Sequence, residues 1–102
     1  MRRFLQIAVT AMMAGLPLHA KAQSARAPRA ALICAPCHGF EGVGHDSTVP
    51  NLAGQNREYL QAQLLAFRSG ARRHPTMNFF SGQVTMDEMV EIADYYASLP
   101  KP

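Results

Sequence analysis

The chain has 102 residues, 48% of them hydrophobic, with a formal net charge of +3 and a pI near 9.2. That length predicts a single domain. Arg2, Arg3 and Lys21 carry the basic excess, because the seven basic residues from Arg26 onward balance the seven acidic ones; this excludes the strongly basic footprint of a nucleic-acid binder.

In chain order, Arg2 and Arg3 precede an apolar run from Phe4 to Leu16 that only Gln6 and Thr10 interrupt. Pro17 stops a helix, and Ala20-Lys21-Ala22 places small residues where a signal peptidase reads. The layout predicts a signal peptide over 1–22, cleaved between Ala22 and Gln23, and hence an exported, periplasmic protein. The run falls short of the ~20 residues a spanning helix needs, so no membrane span is expected in the mature chain, 23–102; an uncleaved anchor is the alternative. A mature chain of about 80 residues has a thin core and commonly needs a staple.

Pro28 suits the first position of a helix, and Arg29 to Cys34 reads as a short helix. Gly39, Gly42, Gly44 and Pro50 mark residues 39–55 as loop. Asn56 is a helix N-cap. Behind it, Leu60, Leu64 and Phe67 form one apolar stripe, which predicts a helix over Arg57 to Ser69 ending at Gly70. Ala71 to Val84 contains Pro75, Gly82 and no clean period, and reads as loop. Thr85 and Glu88 form a capping box. In the helix they open, Met89, Ile92, Ala93 and Tyr96 share one face, and Asp87, Glu88, Glu91 and Asp94 turn to water until Pro100 ends it. Met86 and Met89, at i and i+3, have ordinary core spacing. No segment alternates like a strand, so the fold class is all-α.

The chemistry lies in Cys34-Ala35-Pro36-Cys37-His38, which contains both cysteines of the chain. A thioredoxin-type redox pair would need a β-α-β context. Zinc would need a second ligand pair at matching spacing. A disulfide closing so short a loop is a poor staple. C-x-x-C-H instead reads as a c-type haem attachment site. The two thiolates bond covalently to the macrocycle, and His38 follows as the proximal iron ligand. The haem then supplies the missing staple. The other ring nitrogen of His38 needs an acceptor to fix its tautomer. Met77, in the 71–84 loop, can wrap over the second face of a haem; Met86, at a helix start, is the alternative.

CAPCHG at 34–39, PNLAGQ at 50–55, Y-L…Q-L…F-R-S-G-A-R-R at 59–73, M-N at 77–78 and T…E…I-A-D-Y-Y-A-S-L-P at 85–100 together resemble a small class I cytochrome c. The resemblance is closest to the bacterial periplasmic cytochrome c553 and cytochrome c4-like domains. It implies three main helices around one covalent haem c, held by Cys34 and Cys37, with His38 as proximal ligand. It further implies that the Pro50 carbonyl accepts from the proximal imidazole and that Leu52 packs on the ring. Met77 becomes the distal ligand, and Tyr95 the aromatic where the first and last helices cross. Arg26 and Ala30 depart from the family, in which Gly and an aromatic commonly stand eight and four residues before the first cysteine.

Two further clusters stand out. Phe79-Phe80 is bulky for a loop and reads as haem-edge packing or an apolar docking patch. Arg68, Arg72, Arg73 and His74 form a basic cluster, read as a solvated loop, a propionate partner or a docking surface. No catalytic triad, acid–base pair or phosphate loop is present. The expected role is one-electron transfer to transient redox partner proteins, not enzymatic conversion. The alternatives are a subunit of a larger oxidoreductase and a haem protein with an open sixth position.

Overall fold

The computed structural model describes residues 27–102, together with the isolated residues Leu5, Ala8, Thr10 and Gly15. The expected cleavage site at Ala22, nearly all of the expected leader, and Arg26 lie outside the described residues.

All regular structure among the described residues is helical. A 3₁₀ segment, Arg29–Ile33, leads into a one-turn helix, α1 (Ala35–His38); then come α2 (Arg57–Ser69), α3 (Pro75–Ser81) and α4 (Met86–Ser98). Pro28 stands at the cap of the 3₁₀ segment and not inside it.

The two long helices start and stop on local chemistry. The Asn56 side chain accepts from the Tyr59 N–H at 2.9 Å and opens α2. Gly70, at φ +81°, closes α2 in the left-handed conformation that glycine adopts without strain. Thr85 Oγ1 accepts from the Glu88 N–H at 3.1 Å, and Glu88 Oε1 accepts from the Thr85 N–H at 3.0 Å, so the capping box is complete.

The core forms where α4 crosses α2 and the 3₁₀ segment. Met89, Ile92, Ala93 and Tyr96 from α4 join Leu60 from α2, Val84, and Ala30 and Ala31 from the 3₁₀ segment. Burying an Ile- or Met-sized side chain is worth about 1.5–3 kcal/mol, so this one face of α4 dominates the packing. At the crossing, two small alanines on the N-terminal side face the large Tyr95 and Tyr96 on the C-terminal side, all four buried. Ala30 thus sits in the core, with the bulk supplied from α4.

Two expectations are corrected. Residues 71–84 are not all loop, because Pro75–Ser81 is helical. Pro75 occupies the first turn, where its missing N–H costs nothing, and the His74 side chain caps it by accepting from the Met77 N–H at 3.3 Å. Seven residues are too few to display a helical period. Met86 is not core; it is the first residue of α4 and is 53% exposed, whereas Met89, one turn on, is buried.

Candidate functional site

The site grows from the 3₁₀-to-α junction. The His38 and Cys37 N–H groups both donate to the Cys34 carbonyl, at 2.9 and 3.3 Å, which closes one turn with both thiols and the imidazole on it. Both cysteines are free; Cys34 is half-buried and Cys37 exposed. Burial pushes the Cys34 thiol up to about 11. The His38 ring is buried, and its Nδ1 lies 2.9 Å from the Pro50 carbonyl oxygen. A carbonyl can only accept, so Nδ1 carries a proton, and the tautomer of the neutral ring is the one with its lone pair on Nε2.

This donor set fits covalent haem: two thiols three residues apart on a single turn, with an imidazole held through Nδ1 so that its second nitrogen could serve as a ligand. Among the described residues, no group of three or more His, Cys, Asp or Glu side chains is arranged to hold a metal ion, so no zinc-type cluster surrounds the cysteines. A concave surface lined by Leu32, Ala35, Pro36, Gly39, Phe40 and Val43, together with the polar Glu41 and His45, lies beside the turn; Cys34, Cys37, His38 and Met77 do not line it.

The loop 39–55 is built to bring Pro50 back to His38. The Gly42 carbonyl accepts from the Leu52 and Ala53 N–H groups at 2.8 and 3.0 Å, and the Gly44 N–H donates to Asn51 Oδ1 at 2.8 Å. Leu52 is half-buried against the core cluster. Two hydrogen bonds from Thr48, the side chain's at 2.5 Å and the backbone's at 2.8 Å, hold the Asp46 carboxyl below the usual carboxylate range. The Tyr95 hydroxyl donates to the Phe40 carbonyl and the Tyr96 hydroxyl to the Gly39 carbonyl, so α4 grips the two residues that follow His38. Burial is the main cause pushing the Tyr96 phenol well above its ordinary range, with the neighbouring Cys34 and Tyr95 adding to it.

Met77 sits half-buried in the first turn of α3. Its neighbour Asn78 anchors that helix: Nδ2 donates to the Phe67 and Arg72 carbonyls at 2.7 and 2.9 Å, and Oδ1 accepts from the His74 N–H at 2.9 Å. Within the basic cluster, Arg68 Nη1 donates to the Val84 carbonyl at 3.0 Å. Arg72 donates to Gln63 Oε1 at 2.8 Å and lies 4.6 Å over the Phe67 ring. These two arginines therefore tie α2 to the segments on either side of α3. Phe79 is 60% exposed and meets half-buried Phe80 edge-on at 5.3 Å. Sequence reasoning missed the anchoring by Asn78 and the bracing by Arg68, which no residue spacing signals. The paired hydroxyls of Tyr95 and Tyr96 were hinted at only by their adjacency in one helix.

No protein-family model matches the chain. Cytochrome c-554(548) of Halomonas halodenitrificans is 34% identical over 68 residues, which are 64% of this chain and 82% of that protein. The chain belongs to the cytochrome c family. The family comprises electron-transfer proteins rather than enzymes, and the cofactor is covalent haem c. A thiosulfate dehydrogenase electron acceptor of Thiomonas intermedia is 35% identical over 100 residues, covering 97% of this cytochrome but 45% of the relative. The cytochrome c4 structure from Acidithiobacillus ferrooxidans superposes with a TM-score of 0.62 at 38% identity, over 65% of this chain and 38% of that one. This cytochrome thus spans less than half the length of the thiosulfate dehydrogenase electron acceptors it matches. No helix among the described residues is long and apolar enough to cross a membrane.

Proposed function

We propose that residues 23–102 form a monohaem electron carrier of the periplasm, exported behind the 1–22 leader. Cys34 and Cys37 hold the haem, His38 is its proximal iron ligand, Met77 its distal ligand, and Leu52 packs on the ring. The observation that supports this reading is the 2.9 Å contact of His38 Nδ1 with the Pro50 carbonyl, because it orients the ring and leaves Nε2 as the nitrogen able to bind a metal. When bound, the haem supplies a one-electron ferric/ferrous couple, and a thioether as the sixth ligand raises its potential. The chain's own work is to hold the proximal imidazole in one tautomer and to seat Met77 on a braced helix. Redox partners dock transiently, with interfaces below about 1,200 Å².

A second reading rests on the relatives: one that the chain resembles is a cytochrome subunit of sulfide dehydrogenase, and on this reading the chain is likewise a subunit beside a catalytic chain. Co-purification with such a chain favours it. The test of the ligand set is the visible spectrum of protein matured in the periplasm, oxidised and reduced. One thioether-bonded haem and a far-red charge-transfer band in the ferric state are expected. Loss of that band, together with rapid carbon monoxide binding to the native ferrous protein, would mean an open sixth position and would overturn Met77.

A further inference from the structure

Tyr96 holds both ends of the loop that carries Pro50. Its hydroxyl donates to the Gly39 carbonyl at 3.2 Å, and its own main-chain carbonyl accepts from the Gly54 N–H at 3.0 Å. Between those points the loop is cross-tied: the Gly42 N–H donates to the Gly39 carbonyl at 3.2 Å, and the Gly42 carbonyl accepts from Leu52 and Ala53. Pro50 lies two residues before Leu52, at the place where the loop meets His38 Nδ1. The Tyr96 side chain is fully buried in the cluster that also contains Ala31, Ile92 and Ala93, so it has no freedom to follow a shifting loop.

We infer that Tyr96 is a positioning residue for the proximal imidazole: by spanning Gly39 and Gly54 it sets the distance between the Pro50 carbonyl and His38 Nδ1. This rests on His38 being the iron ligand. The Nδ1–H···O bond strengthens the imidazole as a donor, which favours the ferric state. Loosening the loop weakens that bond and raises the reduction potential. A buried tyrosine needs some partner for its hydroxyl in any fold. A merely structural role would therefore change stability and leave the potential where it was.

The experiment compares the holoproteins of wild type, Tyr96→Phe and Tyr95→Phe. Phe at 96 keeps the ring and the main-chain grip on Gly54 and removes only the hydroxyl. The expected result for Tyr96→Phe is a two- to three-fold rise in the ferrous-to-ferric ratio at fixed applied potential. That is about 20–30 mV at 59 mV per tenfold for one electron. An upfield shift of the His38 Nδ1–H resonance in the ferrous protein should accompany it. Tyr95→Phe, which releases a carbonyl at one end of the loop, should move both readouts less. An unchanged potential in Tyr96→Phe, or equal shifts in both variants, overturns the inference. Should Tyr96→Phe fail to take up haem, hydrogen exchange in the wild type decides. The His38 Nδ1–H and the Gly54 N–H should then share one opening equilibrium, and a difference above tenfold overturns the assignment. Failure of the ligation reading shows separately, as a wild-type spectrum without a low-spin histidine-ligated haem.

Discussion

Asn78 Nδ2 lies 2.7 Å from the Phe67 carbonyl oxygen, joining the last turn of α2 to the helix that carries Met77. The last carbonyls of any helix lack intrahelical partners, and here a side chain from the next helix provides one. Because the same amide also reaches the Arg72 carbonyl, Asn78 fixes the approach of α3. Asn78→Ala is expected to lower unfolding stability by about 1–3 kcal/mol, from the loss of its two hydrogen bonds to the Phe67 and Arg72 carbonyls at roughly 0.5–1.5 kcal/mol each. With Met77 as distal ligand, the far-red band of the ferric protein should weaken in parallel. Denaturant melts monitored by absorbance and by circular dichroism report both effects.

The donor turn and the two long helices were legible in the sequence; α3 was not. Cys34, Cys37 and His38 are contiguous, and the caps at Asn56 and Thr85 are local signals, so short-range reading finds them. Helix α3 is specified by longer-range ties: Asn78 to Phe67, and Arg68 to Val84. The same holds for Met86, whose i, i+3 spacing with Met89 suggested a shared face. Its place at the first position of α4 leaves it facing solvent. Pairing between distant residues, such as Tyr96 with Gly39, has no signature along the chain.

The capping box at Thr85 gives a prediction independent of the haem. Thr85→Ala removes the acceptor for the Glu88 N–H and should cost about 1 kcal/mol, within the range of roughly 0.5–2 for such caps. Thr85→Ser keeps the hydroxyl and should restore most of that. The visible spectrum should be the same in all three proteins. A change in spectrum with Thr85→Ala would show that α4 shifts as a whole and would contradict a local capping role.

Tyr96 also predicts an alkaline limit to stability. Burial raises its phenol in the folded state above the ordinary value near 10. The folded form therefore keeps its proton at pH values where the unfolded chain has lost it. Its contribution is fully present below about pH 10 and falls as pH rises from there toward the folded-state value. Urea midpoints measured across pH 8 to 11.5 should decline above about pH 10. In Tyr96→Phe, which has no proton to lose, that part of the decline should disappear. An identical decline in both proteins would assign the alkaline limb to other groups.

Gly42 and Gly70 both adopt positive φ, at +74° and +81°, yet their substitution should have unequal effects. At Gly70 an added Cβ meets nothing within 4 Å, so Gly70→Ala costs only the left-handed backbone penalty, roughly 1–2 kcal/mol. At Gly42 the same Cβ would lie 2.6 Å from the Ala53 nitrogen and 2.9 Å from the Ala53 Cα. The strands of the loop would have to part, and with them the bonds from Leu52 and Ala53 to the Gly42 carbonyl that return Pro50 to His38. Gly42→Ala should therefore lower both stability and the yield of haem-loaded protein well beyond Gly70→Ala. Thermal melts and haem-to-protein ratios of the two variants, expressed side by side, test this. Equal melting points would mean that the loop opens at Gly42 without cost, and the tight return of Pro50 would then not depend on that close approach.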